Sequence, residues 1–133
     1  MSKRSSELHT FFSAKATTGT GITMNVKDYT HVILQFGSAS SANLTAKAVG
    51  SISDDAPDFT AAATVANHYD FMDLIEIGTG GTSLAGTTGV VLTGTDRIIN
   101  LELNTNAFEY LNINIPARSA GTLTVKGRGY NNK

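Results

Sequence analysis

The sequence predicts an all-β chain: a single antiparallel β-sandwich of about eight strands, jelly-roll-like, behind an extended N-terminal arm. Three observations predict it. Thr, Gly, Ser and Asn make up 52 of the 133 residues, while there are only two Pro, a bias toward strands and turns. Apolar and polar residues alternate in several short runs, and nothing sustains a helical period. Turn residues recur at roughly the spacing of a sandwich or barrel, and no longer unit repeats, which disfavours a solenoid or propeller.

The elements follow in order. Residues 1–21 are polar and small, with only Leu8, Phe11 and Phe12 to bury, and read as an arm; residues 22–133 form the domain. Ile22, Met24 and Val26 alternate on one face. The β-branched run His31-Val-Ile-Leu-Gln-Phe36 is continuous, as expected of a strand covered on both faces. A small-residue turn follows at 38–41, and then Leu44, Ala46 and Ala48 share a face. Residues 50–59 form a loop in which Asp and Ser side chains cap nearby amides and Pro57 fixes its own φ.

Residues 61–66 allow a short helical turn. Residues 70–77 read as one strand with Phe71, Asp73, Ile75 and Ile77 on a common face, and 78–89 as a glycine-rich loop anchored by Leu84. A short strand covers 90–92. Ile99, Leu101 and Leu103 then point inward, as do Leu111, Ile113 and Ile115, with Asn112 and Asn114 toward water. Pro116 and Gly121 bracket the last turn, and 122–130 is the closing strand with Leu123 and Val125 inward.

Composition removes whole classes of function. A net charge of −1, with ten basic residues scattered along the chain, argues against nucleic acid as a partner. With no cysteine there is no disulfide framework, thiolate nucleophile, Cys-bound zinc or iron–sulfur cluster, which suits folding in a reducing cytosol. The first twelve residues carry basic groups without an apolar stretch behind them, so no secretory signal is expected. No window approaches the ~18 apolar residues of a membrane span.

Catalytic groups do not converge in the sequence. His9, His31 and His68 lie on the arm, at a strand start and in a loop, and no Gly-x-Ser-x-Gly elbow surrounds a serine. Asp54, Asp55 and Asp58 share one loop but lack the ligand spacing of an EF-hand, and Asx turns account for them. Asp73 and Glu76 fall on opposite faces of an extended chain. The glycine-rich stretch 78–89 has no Gly-Lys-Ser/Thr and leads into a strand, unlike a phosphate loop. The expectation is a protein without enzymatic activity, cofactor or metal.

The run Tyr29-Thr-His-Val-Ile-Leu34, then Ala42-Asn-Leu-Thr-Ala-Lys47, then Gly50-Ser-Ile-Ser-Asp-Asp-Ala-Pro-Asp-Phe59 resembles small β-sandwich structural proteins encoded by tailed bacteriophages. The resemblance continues through Gly86-Thr-Thr-Gly89, Leu92-Thr-Gly-Thr-Asp96, Leu103-Asn-Thr-Asn106 and Ala120-Gly-Thr-Leu-Thr-Val-Lys126, and so covers about residues 22–129. It implies a virion component, a capsid decoration or head accessory or fibre protein, made in the host cytoplasm and acting through protein–protein contacts. It carries over no site motif.

On that expectation the partners are other virion proteins, either the major capsid protein or neighbouring copies in a homo-oligomer, with neither nucleic acid nor membrane involved. The candidate contact residues are Lys3, Arg4, Leu8, Phe11 and Phe12 of the arm and Lys126 and Arg128 of the closing strand. The alternative is a glycan- or receptor-binding module of a phage tail or head fibre, for which Tyr69, Tyr110 and Tyr130 are the aromatic candidates.

Overall fold

The computed structural model describes residues 5–77, 82–94 and 96–131. Its strands are β1 (His9–Lys15), β2 (Gly19–Thr20), β3 (Met24–Asn25), β4 (His31–Ser51), β5 (Asp70–Phe71), β6 (Leu74–Glu76), β7 (Ser83–Leu84), β8 (Val90–Thr93), β9 (Ile98–Asn104) and β10 (Tyr110–Tyr130). All ten belong to one antiparallel sheet with a main path β1-β10-β4-β9-β6-β7; β2 and β3 also pair with β10, and β5 and β8 with β4. The all-β antiparallel class stands, with ten strands where about eight were expected. The helical content among the described residues is one 3-10 turn, Val65–Asn67, which overlaps only the end of the turn expected at 61–66.

Two strands organise the rest. β4 and β10 are each 21 residues long and pair along their whole lengths, from His31↔Tyr130 to Ser51↔Tyr110. A straight strand of that length would span ~70 Å, several times the ~14 Å radius of gyration of a globule this size. The sheet must therefore fold over. On β4 the even positions Val32, Leu34 and Phe36 are buried, and so are Ala42, Leu44, Ala46 and Ala48; on β10 Leu111, Ile113 and Ile115 are matched by Leu123 and Val125. Both halves put the same face into one apolar cluster. Among the described residues no helix covers that face, and the buried side chains of the two halves pack together in that cluster.

The fold line lies where two turns were expected. Ser40 and Ser41 have φ of 62° and 56° and Gly121 has φ of 77°. The register runs from Asn43↔Ala120 to Ala39↔Thr122, so Ser40, Ser41 and Ala42 face Gly121 alone. Neither strand ends there; both bend. A β-carbon on Gly121 would sit 2.7 Å from the Ala39 carbonyl oxygen, so this close approach demands glycine. The Asp96 carboxylate braces the outer strand, accepting hydrogen bonds from the Ser41 and Ala42 amides at 3.1 Å each. Pro116 falls inside the register shift between Asn114 and Ala117, where its missing N–H costs no ladder bond.

Several local expectations are corrected. The 31–36 strand is covered on one face only, since Ile33 and Gln35 are exposed. The single strand expected at 70–77 is divided: β5 pairs with β4 while β6 pairs with β9, and the buried residues are Met72 and Leu74 rather than the Phe71 face. The Met72 amide bonds the Ala48 carbonyl at 2.9 Å, and this phases the crossing. Ile22 is exposed although Met24 and Val26 are buried. Asn112, expected toward water, is 2% exposed; its amide donates to the Gly21 carbonyl at 2.9 Å and to Thr23 Oγ1 at 3.0 Å, so the polar group is satisfied inside. From residue 9, the segment expected as an arm carries β1, hydrogen-bonded to β10.

Candidate surface groove

The outer face of the β10-β4-β9 ladder is built by simple alternation. Residues that miss the core on each strand line up across the register: Lys126, Gln35 and Asn100 in one row, and Arg128, Ile33 and Glu102 in the next. The Gln35 amide donates to Asn100 Oδ1 at 3.2 Å and holds the first row together. At the sheet edge, residues preceding β1 are tied along β10. The Ser6 amide donates to the Gly129 carbonyl and the Gly129 amide to Ser6 Oγ, both at 2.8 Å. Arg128 Nη1 donates to the Ser6 carbonyl at 2.9 Å.

That tether brings Leu8, 52% exposed, beside Ile33, 38% exposed. Together with Gln35, Asn100, Lys126 and Arg128 they line a hollow of about 360 Å3. Its floor is apolar and one side is cationic. Among the described residues the Lys126 ammonium has no ion-pair partner.

Three of the expected contact residues, Leu8, Lys126 and Arg128, are thus brought together from opposite ends of the chain. Phe11 is not among them. It is 1% exposed, its ring edge-on to His9 at 4.6 Å, and it belongs to the core, which removes it from any outside contact. Phe12 packs against the same core. Lys3 and Arg4 lie outside the described residues. Sequence reasoning missed Ile33 and Gln35, the odd positions of β4 hidden in a continuous apolar run, and gave no sign that Asn100 of β9 lies beside them.

The tyrosines proposed for sugar stacking have other duties. Tyr69 is buried against Phe59, with ring centroids 5.0 Å apart, and donates to the Ala61 carbonyl; burial, then the Asp58 charge, push its phenol up. Tyr110 donates to the Asp54 carbonyl at 3.2 Å. Tyr130 stacks on His31 at 5.3 Å and donates to the Glu102 carboxylate.

The acidic loop is also held from within. Asp58 accepts from the hydroxyl and amide of Thr60, which lowers its carboxyl below the ordinary value: an Asx turn, as the sequence suggested. Ser53 N–H donates to Ser51 Oγ at 3.1 Å, and Phe59 is buried. Anchored at both ends, the loop holds Ile52, 71% exposed, together with Asp54 and Asp55 out in solvent.

A second hollow, of about 520 Å3, lies beside that loop and is lined in part by Ser51, His68 and Asp70. Ser51 Oγ donates to the His68 main-chain carbonyl, not to its imidazole. His9 bonds the Ile22 carbonyl at 2.8 Å and His31 bonds Thr30 at 3.0 Å, so each histidine is engaged separately. Among the described residues no three His, Cys, Asp or Glu side chains gather to hold a metal. No helix among them is long and apolar enough to cross a membrane.

No family model and no curated protein matches the chain. Two solved structures share its fold. The SPBc2 prophage-derived protein YomS superposes with a TM-score of 0.68 at 11% identity, over 94% of this chain and 91% of that one. The PBSX exported protein XepA gives a TM-score of 0.65 at 13% identity, over 95% of this chain but 37% of that one, so this chain spans little more than a third of XepA. At such identities the likeness is one of fold.

Proposed function

We propose that this chain is a non-enzymatic structural protein of a bacteriophage particle, a capsid decoration or head accessory or fibre component, working through repeated protein–protein contacts. The observation that carries the reading is the end-to-end fold likeness to a prophage-derived protein, which embraces 94% of one chain and 91% of the other. The second likeness, to a PBSX protein, points to the same kind of genome. In this reading the doubled-over sheet serves as a sandwich-like, jelly-roll-like building part, and its outer groove and anchored loops are the contact surfaces. The partners are the major capsid protein or neighbouring copies of the chain itself.

The test is to purify particles from the producing host through a density gradient and quantify this protein against the major capsid protein by mass spectrometry. Immunogold labelling then gives its position. A fixed ratio to the capsid protein, with label at a regular place on the particle, is the expected result. Protein found only free in the lysate or medium, with washed particles carrying none, overturns the reading.

A further inference from the structure

We infer that the groove lined by Leu8, Ile33, Lys126 and Arg128 receives the loop 52–58 of a second copy of this chain, giving a head-to-tail contact. The inference deepens the proposed function, since it rests on that reading's repeated contacts and names the surfaces that make one of them. Charge complementarity selects the occupant. The loop carries Asp54, Asp55 and Asp58 with no basic residue, while the groove has Lys126 and Arg128 along β10 and the neutral Gln35 and Asn100 on the strands beside it; Glu102, in the row of Arg128, is engaged by the Tyr130 hydroxyl.

Apolar surfaces match as well. Ile52 projects from one end of the loop, and Ile33 and Leu8 lie exposed on the floor of the groove. Burying such side chains yields ~25 cal/mol per Å2, and the flanking charges fix orientation and speed encounter. The loop is pre-organised by Tyr110, Ser51, Phe59 and the Asp58–Thr60 turn, so little ordering entropy is lost on docking.

Groove and loop are different patches, so their head-to-tail repetition makes a heterologous contact. Such contacts close into rings when the rotation between neighbours permits and otherwise grow as filaments. No isologous dimer places an acidic loop in a basic groove without doing so twice, across a two-fold axis.

The decisive experiment is a charge swap. One variant carries Lys126→Glu with Arg128→Glu, the other Asp54→Lys with Asp55→Lys. Each has groove and loop of like charge, so each is expected to be monomeric by sedimentation under conditions where the native chain associates, with affinity at least tenfold weaker. Mixed in equal amounts, the two regain complementary surfaces at every contact and are expected to assemble alternately. Salt should weaken both the native and the mixed assemblies.

Arg128 also holds Ser6, so Lys126→Glu alone serves as a milder variant, with folding checked by circular dichroism. A native chain that stays monomeric, variants that assemble like the native chain, or a mixture that does not reassemble would each overturn the inference. Particle association is scored separately. Monomeric variants that still bind particles leave the proposed function standing, whereas a self-assembling chain absent from particles refutes that function and leaves this contact intact.

Discussion

The hydroxyl of Tyr130 on β10 reaches across the intervening strand β4 to the carboxylate of Glu102 on β9. Between them the Tyr130 ring lies on His31 with an interplanar angle of 22°. One side chain thereby ties three strands at the end of the sheet where β4 begins and β10 finishes. Burial, then the Glu102 hydrogen bond and its charge, raise the phenol from its ordinary 10 to about 12.

The raised phenol gives a signed pH dependence. The unfolded chain ionises this group at its ordinary value and the folded one resists, so the contribution is fully present below pH 10 and is lost as pH climbs toward about 12. Tyr130→Phe keeps the stacking and removes the bond. It should lower stability by about 1 kcal/mol near neutrality and flatten the decline above pH 10. Urea unfolding at a series of pH values, with phenolate absorbance followed in parallel, checks both.

The fold line makes a second prediction through two glycines of similar backbone. Gly121 and Gly94 have φ of 77° and 79°, so any other residue meets left-handed strain of ~1–2 kcal/mol at either. At Gly94 an added β-carbon enters open space, but at Gly121 it would run into the Ala39 carbonyl and the Ala42 backbone. Gly94→Ala should therefore cost only about 1 kcal/mol. Gly121→Ala should cost clearly more, or abolish soluble expression. Thermal melts of the two variants side by side decide it.

Asp96 offers a third. Its two carboxylate oxygens receive the amides of Ser41 and Ala42, which the bend has turned away from the β10 ladder. Asp96→Ala should cost about 1.5–3 kcal/mol, the range for hydrogen bonds to a charged group. Asp96→Asn, which keeps acceptor capacity on one atom, should fall between. Amide exchange at 41 and 42 should accelerate in the alanine variant more than in neighbouring strands.

The N-terminal segment separates core from surface. Phe11→Ala empties a buried site and should cost about 3–5 kcal/mol. Leu8→Ala, at a half-exposed site, should change stability by less than ~0.5 kcal/mol. If the groove docks a second copy, Leu8→Ala weakens association with unfolding unchanged, so denaturation and sedimentation should rank the two variants oppositely.

Period-two alternation was enough to place Ile99, Leu101, Leu103, Leu111, Ile113 and Ile115 in the core, because a strand covered on one face writes its burial directly into every second residue. The fold line was legible only as punctuation. Ser40, Ser41 and Gly121 mark a departure from extended backbone, and a chain that turns back and a strand that bends use the same small residues. The pairing of β4 with β10 was hidden, since no local signal names a partner most of a chain length away.

The groove was half legible for the same reason. Lys126, Arg128 and Leu8 stand out as charge and surplus apolarity at the two ends. Their meeting depends on Ser6 bonding along β10, and Ile33 reads as core until the register places it outside. Asn112 fails in the opposite sense: a polar residue on an alternating strand reads as solvated unless the Gly21 carbonyl waiting inside is known.

The placement of β10 has a consequence for how this protein is made. Residues 110–130 pair directly with β1, β2, β3 and β4, all of which precede them in the chain and so leave the ribosome first. Until β10 follows, β4 has no partner along one whole side, and the nascent chain is an unsealed strip of apolar β-structure. Contacts this distant in sequence form slowly, and exposed strands are prone to mispairing while they wait. The sheet built on β4 can therefore be completed only after β10 has been synthesised.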